Sequence, residues 1–231
     1  MRQPFWKKIL SYLFEFHIES APSEINPHLY VSLKKGRYQL STAHAVYSYE
    51  DKYTNFLQAF STIPLDTLPI EEVLILGFGL GSIPYILETK FGKKYNYTGV
   101  ELDESVLYLA GKYTLPYINS PIQLIEADAA QFVWMTEQQY DLIAMDVFLD
   151  NIVPEEFEEE AFVCRLKELL SPNGVLIYNR LANTTETLQQ TERFFHTVFK
   201  KCFPGARYLD TGNNWMIMVE TLHATSITHS P

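Results

Sequence analysis

The sequence of 231 residues has little cysteine and no clustered histidine. Cys164 and Cys202 are isolated and stand in no spacing that metal sites use, which predicts reduced thiols in a cytoplasmic protein rather than a structural disulfide. The six histidines form no H-x-x-x-H pattern. We therefore expect no metal.

Basic runs and long apolar segments are also missing. No run of Lys and Arg could follow a phosphate backbone, and the net charge of −10 argues further against a nucleic-acid partner. Charged residues interrupt the N-terminal apolar stretch before a signal-peptide core forms, and no later segment approaches the roughly 20 apolar residues of a membrane span. We expect a soluble protein. The electrostatic field of its negative charge favours a cationic or neutral small molecule as substrate. Homodimerisation stays open.

Hydrophobic periodicity divides the chain into two regions. Alternation in "LFEFHIES" and short β-rich stretches at 29–33 and 37–42 predict a small antiparallel N-terminal sheet, followed by a helix over 50–60. From residue 71 strands alternate with helices, the pattern of a mostly parallel sheet covered on both faces. The expected strands are 73–77, 96–101, 122–126, 141–146 and 174–179, and the expected helices are 81–92, 104–113, 129–135, 155–170 and 185–201. A hairpin of 206–210 and 214–220 closes the chain.

This pattern predicts an α/β, Rossmann-like fold of the class I methyltransferase type. Its seven-stranded sheet is mostly parallel with an antiparallel last strand, and a β-hairpin region precedes it. The expected boundaries are 1–62 for the N-terminal region, 70–221 for the Rossmann-like domain and 222–231 for a disordered tail.

The stretch "VLILGFGLGSIPYIL" carries glycines at 77, 79 and 81 between the first strand and helix of the parallel sheet. A Walker-type phosphate loop is nearly excluded because Ser82-Ile83 stands where Lys-Ser/Thr is needed. A dinucleotide fold is weakened because Ser82 replaces the third glycine of G-x-G-x-x-G. G-x-G-x-G is what class I methyltransferases use against S-adenosylmethionine, so we expect Gly77, Gly79 and Gly81 to contact that cofactor. A tight turn without a ligand is the alternative.

Acidic residues follow the next strands of the sheet. Glu101 ends the second strand, where it can accept hydrogen bonds from both ribose hydroxyls, and Asp128 with Ala129 follows the third, where a carboxylate can accept from the adenine amino group. Each acid could instead have a purely structural role, at a strand end or as a helix cap. For Asp103 we expect capping of the following helix to be at least half of its role. Ligands of open α/β sheets sit at this edge, so a nucleoside site is predicted there.

Several motifs resemble the spermidine synthases, the polyamine aminopropyltransferases. "ELDESVLYLAGKYTLP" looks like their second motif, and "EADAAQFV" followed by "YDLIAMD" matches their adenine-site and catalytic acids, which gives Asp128 and Asp146. "KKGRYQLS" with "VYSYED" resembles their N-terminal hairpin motif, and the resemblance implies that Gln39 contacts the nucleoside and Tyr49 the amine. It covers roughly residues 28–220.

The sequence departs from that family at the positions that would determine which donor and which acceptor bind. The family's glycine motif has an Asp that pairs with the aminopropyl ammonium, and Leu80 stands there. The family's Asp-Ser-Ser/Thr-Asp-Pro segment reads Asp146-Val147-Phe148-Leu149-Asp150, so the second acid, Asp150, a substrate-binding candidate, is shifted by one residue.

The order of the functional hypotheses follows from these departures. Leu80 supplies no anion and the loop N–H groups favour a carboxylate, so methyl transfer from S-adenosylmethionine to a small molecule ranks first. Asp146 is then the catalytic residue that accepts a proton from an incoming amine or orients it. Aminopropyl transfer from decarboxylated S-adenosylmethionine to a cationic amine is the alternative. A non-catalytic nucleoside-binding protein is the second alternative, because fold does not fix function.

Overall fold

The computed structural model describes residues 3–26, 28–43, 45–149 and 152–220. The expected tail at 222–231 lies outside them, and the domain boundaries stay a prediction. In the described part of the chain, no helix is long and apolar enough to cross a lipid bilayer.

A four-stranded antiparallel sheet forms the N-terminal region, with one strand more than the three that the sequence predicted. Its order is β1-β2-β3-β4, with β1 (Phe16–Ser20), β2 (Tyr30–Lys34), β3 (Arg37–Ser41) and β4 (Val46–Ser48). A short helix that the sequence did not predict, α1 (Phe5–Leu10), precedes this sheet and buries none of its residues. The 3₁₀ turn Glu50–Lys52 and helix α2 (Thr54–Ser61) lead to the second sheet.

The second sheet has seven strands and confirms the predicted fold class. Its order is β10-β11-β9-β8-β5-β6-β7, and β11 runs antiparallel to both of its neighbours, β9 and β10. The strands are β5 (Glu72–Leu76), β6 (Asn96–Glu101), β7 (Ile122–Glu126), β8 (Tyr140–Met145), β9 (Leu170–Leu181), β10 (Arg207–Asp210) and β11 (Asn214–Glu220). The strand order reverses between β5 and β8, so a crevice opens beyond their carboxyl ends.

Helices cover both faces of this sheet at nearly the predicted positions. They are α3 (Ser82–Phe91), α4 (Glu104–Tyr113), α5 (Ala129–Met135), α6 (Glu160–Leu169), α7 (Thr185–Phe194) and α8 (Lys200–Cys202), with 3₁₀ turns at Leu115–Tyr117 and Glu155–Glu158 and a π-helical turn at Phe195–Phe199. The predicted helices over 155–170 and 185–201 are therefore each divided.

Alternation along β5 decides how the core is arranged. Val73 and Ile75 face a cluster that includes the N-terminal sheet and helices α2 to α4, whereas Leu74 and Leu76 face a second cluster with α5 to α7. All four side chains are fully buried, as expected for a strand covered on both faces. The N-terminal sheet therefore shares a hydrophobic core with the parallel sheet.

The cysteine prediction is wrong in the structure. Cys164 of α6 and Cys202 of α8 form a disulfide with their Cα atoms 5.2 Å apart, across 38 residues of sequence. The two short helices pack together on the same face of the sheet, so residues that look isolated in the sequence become neighbours.

Candidate active site

A cleft of about 560 Å³ lies at the carboxyl ends of β5, β6 and β8, where the strand order reverses. The N-terminal sheet borders it through Val46 and Tyr47, and the loop before β2 contributes Asn26. Most of the predicted site residues line this cleft: Gly77, Gly79, Glu101, Asp128, Ala129 and Asp146.

The glycine loop needs glycine for its backbone shape. Gly77, Gly79 and Gly81 have φ values of +82°, +56° and +87°, which L side chains rarely adopt. A Cβ on Gly77 would overlap the backbone carbonyl of Asp146. The loop therefore lets the ends of β5 and β8 approach each other closely.

Ser82, which replaces the third glycine of a dinucleotide motif, ties the loop to the N-terminal sheet. Its Oγ lies 2.6 Å from the Oγ of Ser48 and accepts a hydrogen bond of 2.9 Å from the backbone N–H of Tyr49. These bonds hold β4 over the start of α3. The hydroxyl thus positions one wall of the cleft, and Ser82 itself does not line it.

Glu101 organises the loop from the tip of β6. Its Oε2 accepts a 3.0 Å hydrogen bond from the N–H of Gly79, and its Oε1 accepts bonds of 3.0 and 3.3 Å from the N–H groups of Leu102 and Asp103. Burial raises the pKa of Glu101, and these backbone donors oppose the rise. The carboxylate is held at the cleft, where it can also accept from ligand hydroxyls.

Asp103 and Asp128 both cap helices, as the structural alternatives anticipated. Asp128 Oδ1 accepts from the N–H of Gln131 at 2.8 Å while the residue also lines the cleft. Asp103 caps α4 and accepts from Ser23 at 2.5 Å and from Asn26 at 2.7 Å. Asp103 therefore anchors the N-terminal segment, and only Asp128 remains available to a ligand.

Asp146 lies at the end of β8 with one carboxyl oxygen fully engaged. Its Oδ1 accepts hydrogen bonds from Asn179 Nδ2 at 2.7 Å and from the Tyr53 hydroxyl at 3.1 Å. Asn214 Nδ2 in turn donates to Asn179 Oδ1 at 2.9 Å, which fixes the orientation of that amide. Among the described residues, no hydrogen bond reaches the other oxygen, Oδ2.

Burial raises the pKa of Asp146 to about 8, although the bonds from Asn179 and Tyr53 act in the opposite direction. The negative charge of Glu101 adds to the rise. Burial therefore favours the protonated carboxyl in the ligand-free protein more than it would for an exposed aspartate. A positive charge bound beside it would favour the ionised form.

The charged side chains in the described cleft lining are all acidic. Four carboxyl side chains line the cleft, and in the described ranges no lysine, arginine or histidine does. The carboxyl residues are Glu101, Asp128, Asp146 and Glu156. Such a lining attracts cations and disfavours an unpaired carboxylate.

Some predicted site residues lie away from the cleft. Gln39 is buried in β3 and donates to Ser41 Oγ at 2.9 Å. The Tyr49 hydroxyl donates to the backbone carbonyl of Lys34 at 3.1 Å. Neither residue lines the cleft, and neither does Gly81, although it belongs to the glycine loop. Asp150 lies outside the described residues.

Leu80 is buried in the core and not in the cleft. The N–H of Gly79 already donates to Glu101, and the N–H of Gly81 donates to the Phe78 carbonyl at 3.0 Å. Two of the loop N–H groups that were expected to favour the carboxylate of S-adenosylmethionine therefore already form hydrogen bonds within the protein.

Sequence reasoning missed Tyr53 and the asparagines that surround Asp146. Tyr53 stands immediately before α2 and lines the cleft together with Asn55, Asn179 and Asn214. One signal in the sequence could have identified Tyr53. The triplet Tyr53-Thr54-Asn55 places two polar cleft residues on either side of a helix start, four residues after the predicted Tyr49.

The sequence profile of the Spermine/spermidine synthase domain matches residues 53–228. The chain belongs to this family.

The relatives of this chain include proteins named as two different kinds of transferase. A polyamine aminopropyltransferase of Vibrio vulnificus is 26% identical over 154 residues, which are 65% of this chain and 51% of that protein. An N-terminal histidine N-methyltransferase of Emericella nidulans is 31% identical over 144 residues, 59% of this chain and 24% of that protein. The chain spans between 24% and 51% of the length of the first two curated relatives it matches.

Solved structures share the fold. A spermidine synthase in complex with the transition-state analogue AdoDATO has a TM-score of 0.70 and 17% identity, with 89% of this chain and 74% of that chain covered. At this identity the likeness concerns the architecture alone.

Proposed function

We propose that the chain transfers an aminopropyl group from decarboxylated S-adenosylmethionine to a small amine. The observation that carries this proposal is the acidic lining, in which no cationic side chain of the described ranges faces the cleft. The decarboxylated donor brings a sulfonium and an ammonium, which suit such a lining. Intact S-adenosylmethionine also brings a carboxylate, whose desolvation would lack a cationic partner. Family membership and the Vibrio vulnificus relative support the same choice.

The nucleoside part of the donor fits the residues at the tips of β6 and β7. Glu101 would accept from the ribose hydroxyls and Asp128 from the adenine amino group. Both carboxyls line the cleft, and Ala129 adds a small side chain beside Asp128. Gly77 and Gly79 also line the cleft, so their backbone can approach the donor.

The reaction is an in-line displacement at a carbon next to the sulfonium sulfur. The amine nitrogen forms a bond to that carbon, the carbon–sulfur bond breaks with its electron pair moving to sulfur, and methylthioadenosine leaves. The nitrogen must shed a proton, and Asp146 Oδ2 is the oxygen that the described protein leaves available for it. Positioning and a neutral nucleophile account for most of the rate in such a transfer.

Asp146 must be ionised to take that proton. Burial holds its pKa at about 8 without ligand, but a bound sulfonium lowers it because an opposite charge favours the carboxylate. Donor binding thus prepares the base.

Methyl transfer from S-adenosylmethionine is the second candidate. Leu80 supplies no carboxylate for the ammonium of an aminopropyl group, and the Emericella nidulans relative is named a methyltransferase. The acidic lining reverses the order that the sequence alone suggested.

Calorimetric titration with both donors decides between the candidates. We expect decarboxylated S-adenosylmethionine to bind at least about tenfold more tightly than the intact donor, a difference of about 1.4 kcal/mol. Mass spectrometry of an amine mixture incubated with each donor then identifies the group transferred. Tighter binding of the intact donor together with a methylated product would overturn the proposal in favour of methyl transfer.

A further inference from the structure

The segment 5–14, which contains helix α1, concentrates the exposed apolar side chains of the protein. Of the sixteen large hydrophobic side chains that are exposed in the described residues, seven lie in this short segment. They are Phe5, Trp6, Ile9, Leu10, Tyr12, Leu13 and Phe14. Helix α1 buries none of its residues. A contiguous set of exposed apolar side chains of this kind marks a surface that binds a partner or a membrane.

Ser11 holds this segment against the turn between β2 and β3. The Ser11 carbonyl accepts a 2.8 Å hydrogen bond from the N–H of Lys35, and its Oγ accepts one of 2.8 Å from the N–H of Gly36. The same Oγ donates to the Lys8 carbonyl at 2.6 Å, and Ser11 is buried. The segment is therefore fixed to the N-terminal sheet through one polar residue while its apolar side chains stay exposed.

A groove of about 590 Å³ runs between α1 and this turn. Its lining is formed by Phe5, Lys8, Ile9, Tyr12, Leu13, Gly36 and Arg37. None of these residues lines the cleft that contains Asp146. The groove and the apolar side chains beside it form a second surface, separate from the candidate active site.

The charged side chains of this surface are cationic. Lys7 and Lys8 lie on α1, Lys35 is exposed at the turn that Ser11 binds, and the segment 5–14 contains no acidic residue. In the described part of the chain, no carboxylate forms an ion pair with any of these three lysines. Their charges are therefore available to an anionic partner.

The acids next to this surface are already paired. Glu15 lies 3.0 Å from Lys34, and Asp51 lies 2.5 Å from Arg37 and 2.8 Å from Lys90. The net charge of −10 belongs to the whole chain, and at physiological ionic strength charges more than about 8 Å away are largely screened. The surface is thus locally cationic on an acidic protein.

A second copy of the chain fits this surface poorly. A two-fold contact would bring Lys7, Lys8 and Lys35 of one copy against the same lysines of the other. A bilayer with anionic headgroups meets both requirements, because phosphates pair with lysines and the acyl boundary takes up apolar side chains. Trp6 and Tyr12 are residue types that membrane interfaces favour, since each ring has an apolar body and a polar end.

We propose that the segment 5–14 is a peripheral membrane-binding surface for bilayers that contain anionic phospholipids. Apolar side chains, including Phe5, Trp6 and Leu13, enter the boundary between headgroups and acyl chains, and Lys7 and Lys8 pair with headgroup phosphates. The segment contributes no side chain to the cleft, so this inference does not depend on which group the chain transfers.

Vesicle co-sedimentation of the full chain tests this proposal. One set of vesicles contains equal amounts of phosphatidylglycerol and phosphatidylcholine, and the other contains phosphatidylcholine alone. We expect at least about tenfold tighter binding to the anionic vesicles, since each lysine near such a surface adds attraction. Added salt should weaken that binding. Absence of binding to the anionic vesicles, or equal binding to both sets, would overturn the proposal.

Two charge-reversal variants separate local from overall charge. Lys7→Glu with Lys8→Glu should weaken binding to the anionic vesicles by at least about tenfold. Lys200→Glu with Lys201→Glu makes the same change in net charge on α8, which belongs to the other face of the parallel sheet. We expect this control to bind like the parent chain. An equal loss in both variants would mean that net charge and not the segment governs binding.

The apolar contribution has its own matched pair. Trp6→Ser with Leu13→Ser should abolish binding, whereas Trp134→Ser with Met135→Ser removes two equally exposed apolar side chains from α5 and should not change it. Melting temperatures verify that each variant is folded. Light scattering without vesicles measures self-association. A dimer of the parent chain that the Trp6 and Leu13 substitutions convert to monomers would show that a second copy covers the segment, and would overturn the proposal.

Discussion

The hydroxyl of Tyr53 donates a 3.1 Å hydrogen bond to Oδ1 of Asp146, across 93 residues of sequence. It connects the segment before α2 with the end of β8. Because Asn179 donates to the same oxygen, Oδ1 is engaged twice, and among the described residues no hydrogen bond reaches Oδ2. The N-terminal region therefore helps to orient the carboxyl that we propose as the base.

Asp146→Asn should remove most turnover while leaving nucleoside binding nearly intact. An amide keeps the shape of the side chain but cannot accept the proton, and loss of a general base costs roughly 10²- to 10⁴-fold in rate. Asp66→Asn is the control, because Asp66 is exposed and pairs with Lys93 away from the cleft. Turnover of Asp146→Asn at the parent rate would show that another group takes the proton.

The stability of the ligand-free protein should fall as the pH rises from about 4 to about 8. Burial raises the pKa of Asp146 from 3.8 to about 8 and that of Glu50 from 4.5 to about 7. In this range the folded state binds more protons than the unfolded state, so each added pH unit favours unfolding. Melting temperatures measured across this range should decline less in Asp146→Asn and in Glu50→Gln. An unchanged slope in both variants would contradict the shifts.

The secondary structure of the parallel sheet could be predicted because its signals are local. Apolar runs such as 73–76, bounded by glycine or charged residues, mark strands wherever they fold. The short strand β4 and helix α1 were missed because three to six residues carry too little periodicity to be distinguished from a loop.

Long-range neighbours could not be predicted in this way. Tyr49 and Tyr53 are only four residues apart, separated by the 3₁₀ turn Glu50–Lys52, and Tyr53 is the one whose hydroxyl reaches Asp146. The pairing of Cys164 with Cys202 likewise depends on how α6 and α8 pack. The acids at the strand tips were predictable because the topology of an open α/β sheet brings those positions to one edge.

Glu101→Ala should weaken binding of methylthioadenosine by roughly 1.5–3 kcal/mol for each charge-assisted hydrogen bond lost. The variant also removes the acceptor of the Gly79 N–H, so we expect a lower melting temperature as well. Glu126→Ala is a matched control, because Glu126 pairs with Glu101 in register on β7 but is exposed and outside the cleft. Equal calorimetric affinities of the two variants would mean that the ribose is held elsewhere.

Removal of the disulfide should lower stability without changing the cleft. A bridge that closes 38 residues contributes roughly 4 kcal/mol through the entropy of the unfolded chain. Cys164→Ser should therefore unfold at lower denaturant while binding methylthioadenosine like the parent chain. Thiol titration of the denatured, unreduced parent protein provides the direct check. Two titratable thiols per chain would show that the bridge does not form in solution.

Gly77→Ala should disturb the site more than Gly92→Ala, although both glycines have positive φ. Both variants incur the backbone cost of the left-handed region, on the order of 1 kcal/mol. At Gly92 an added Cβ meets no atom within 4 Å, whereas at Gly77 it would overlap the Asp146 carbonyl and force the ends of β5 and β8 apart. We therefore expect Gly77→Ala alone to lose nucleoside affinity and turnover, in addition to a larger fall in melting temperature. Equal effects of the two substitutions on affinity would show that the close approach of the glycine loop to Asp146 does not shape the site.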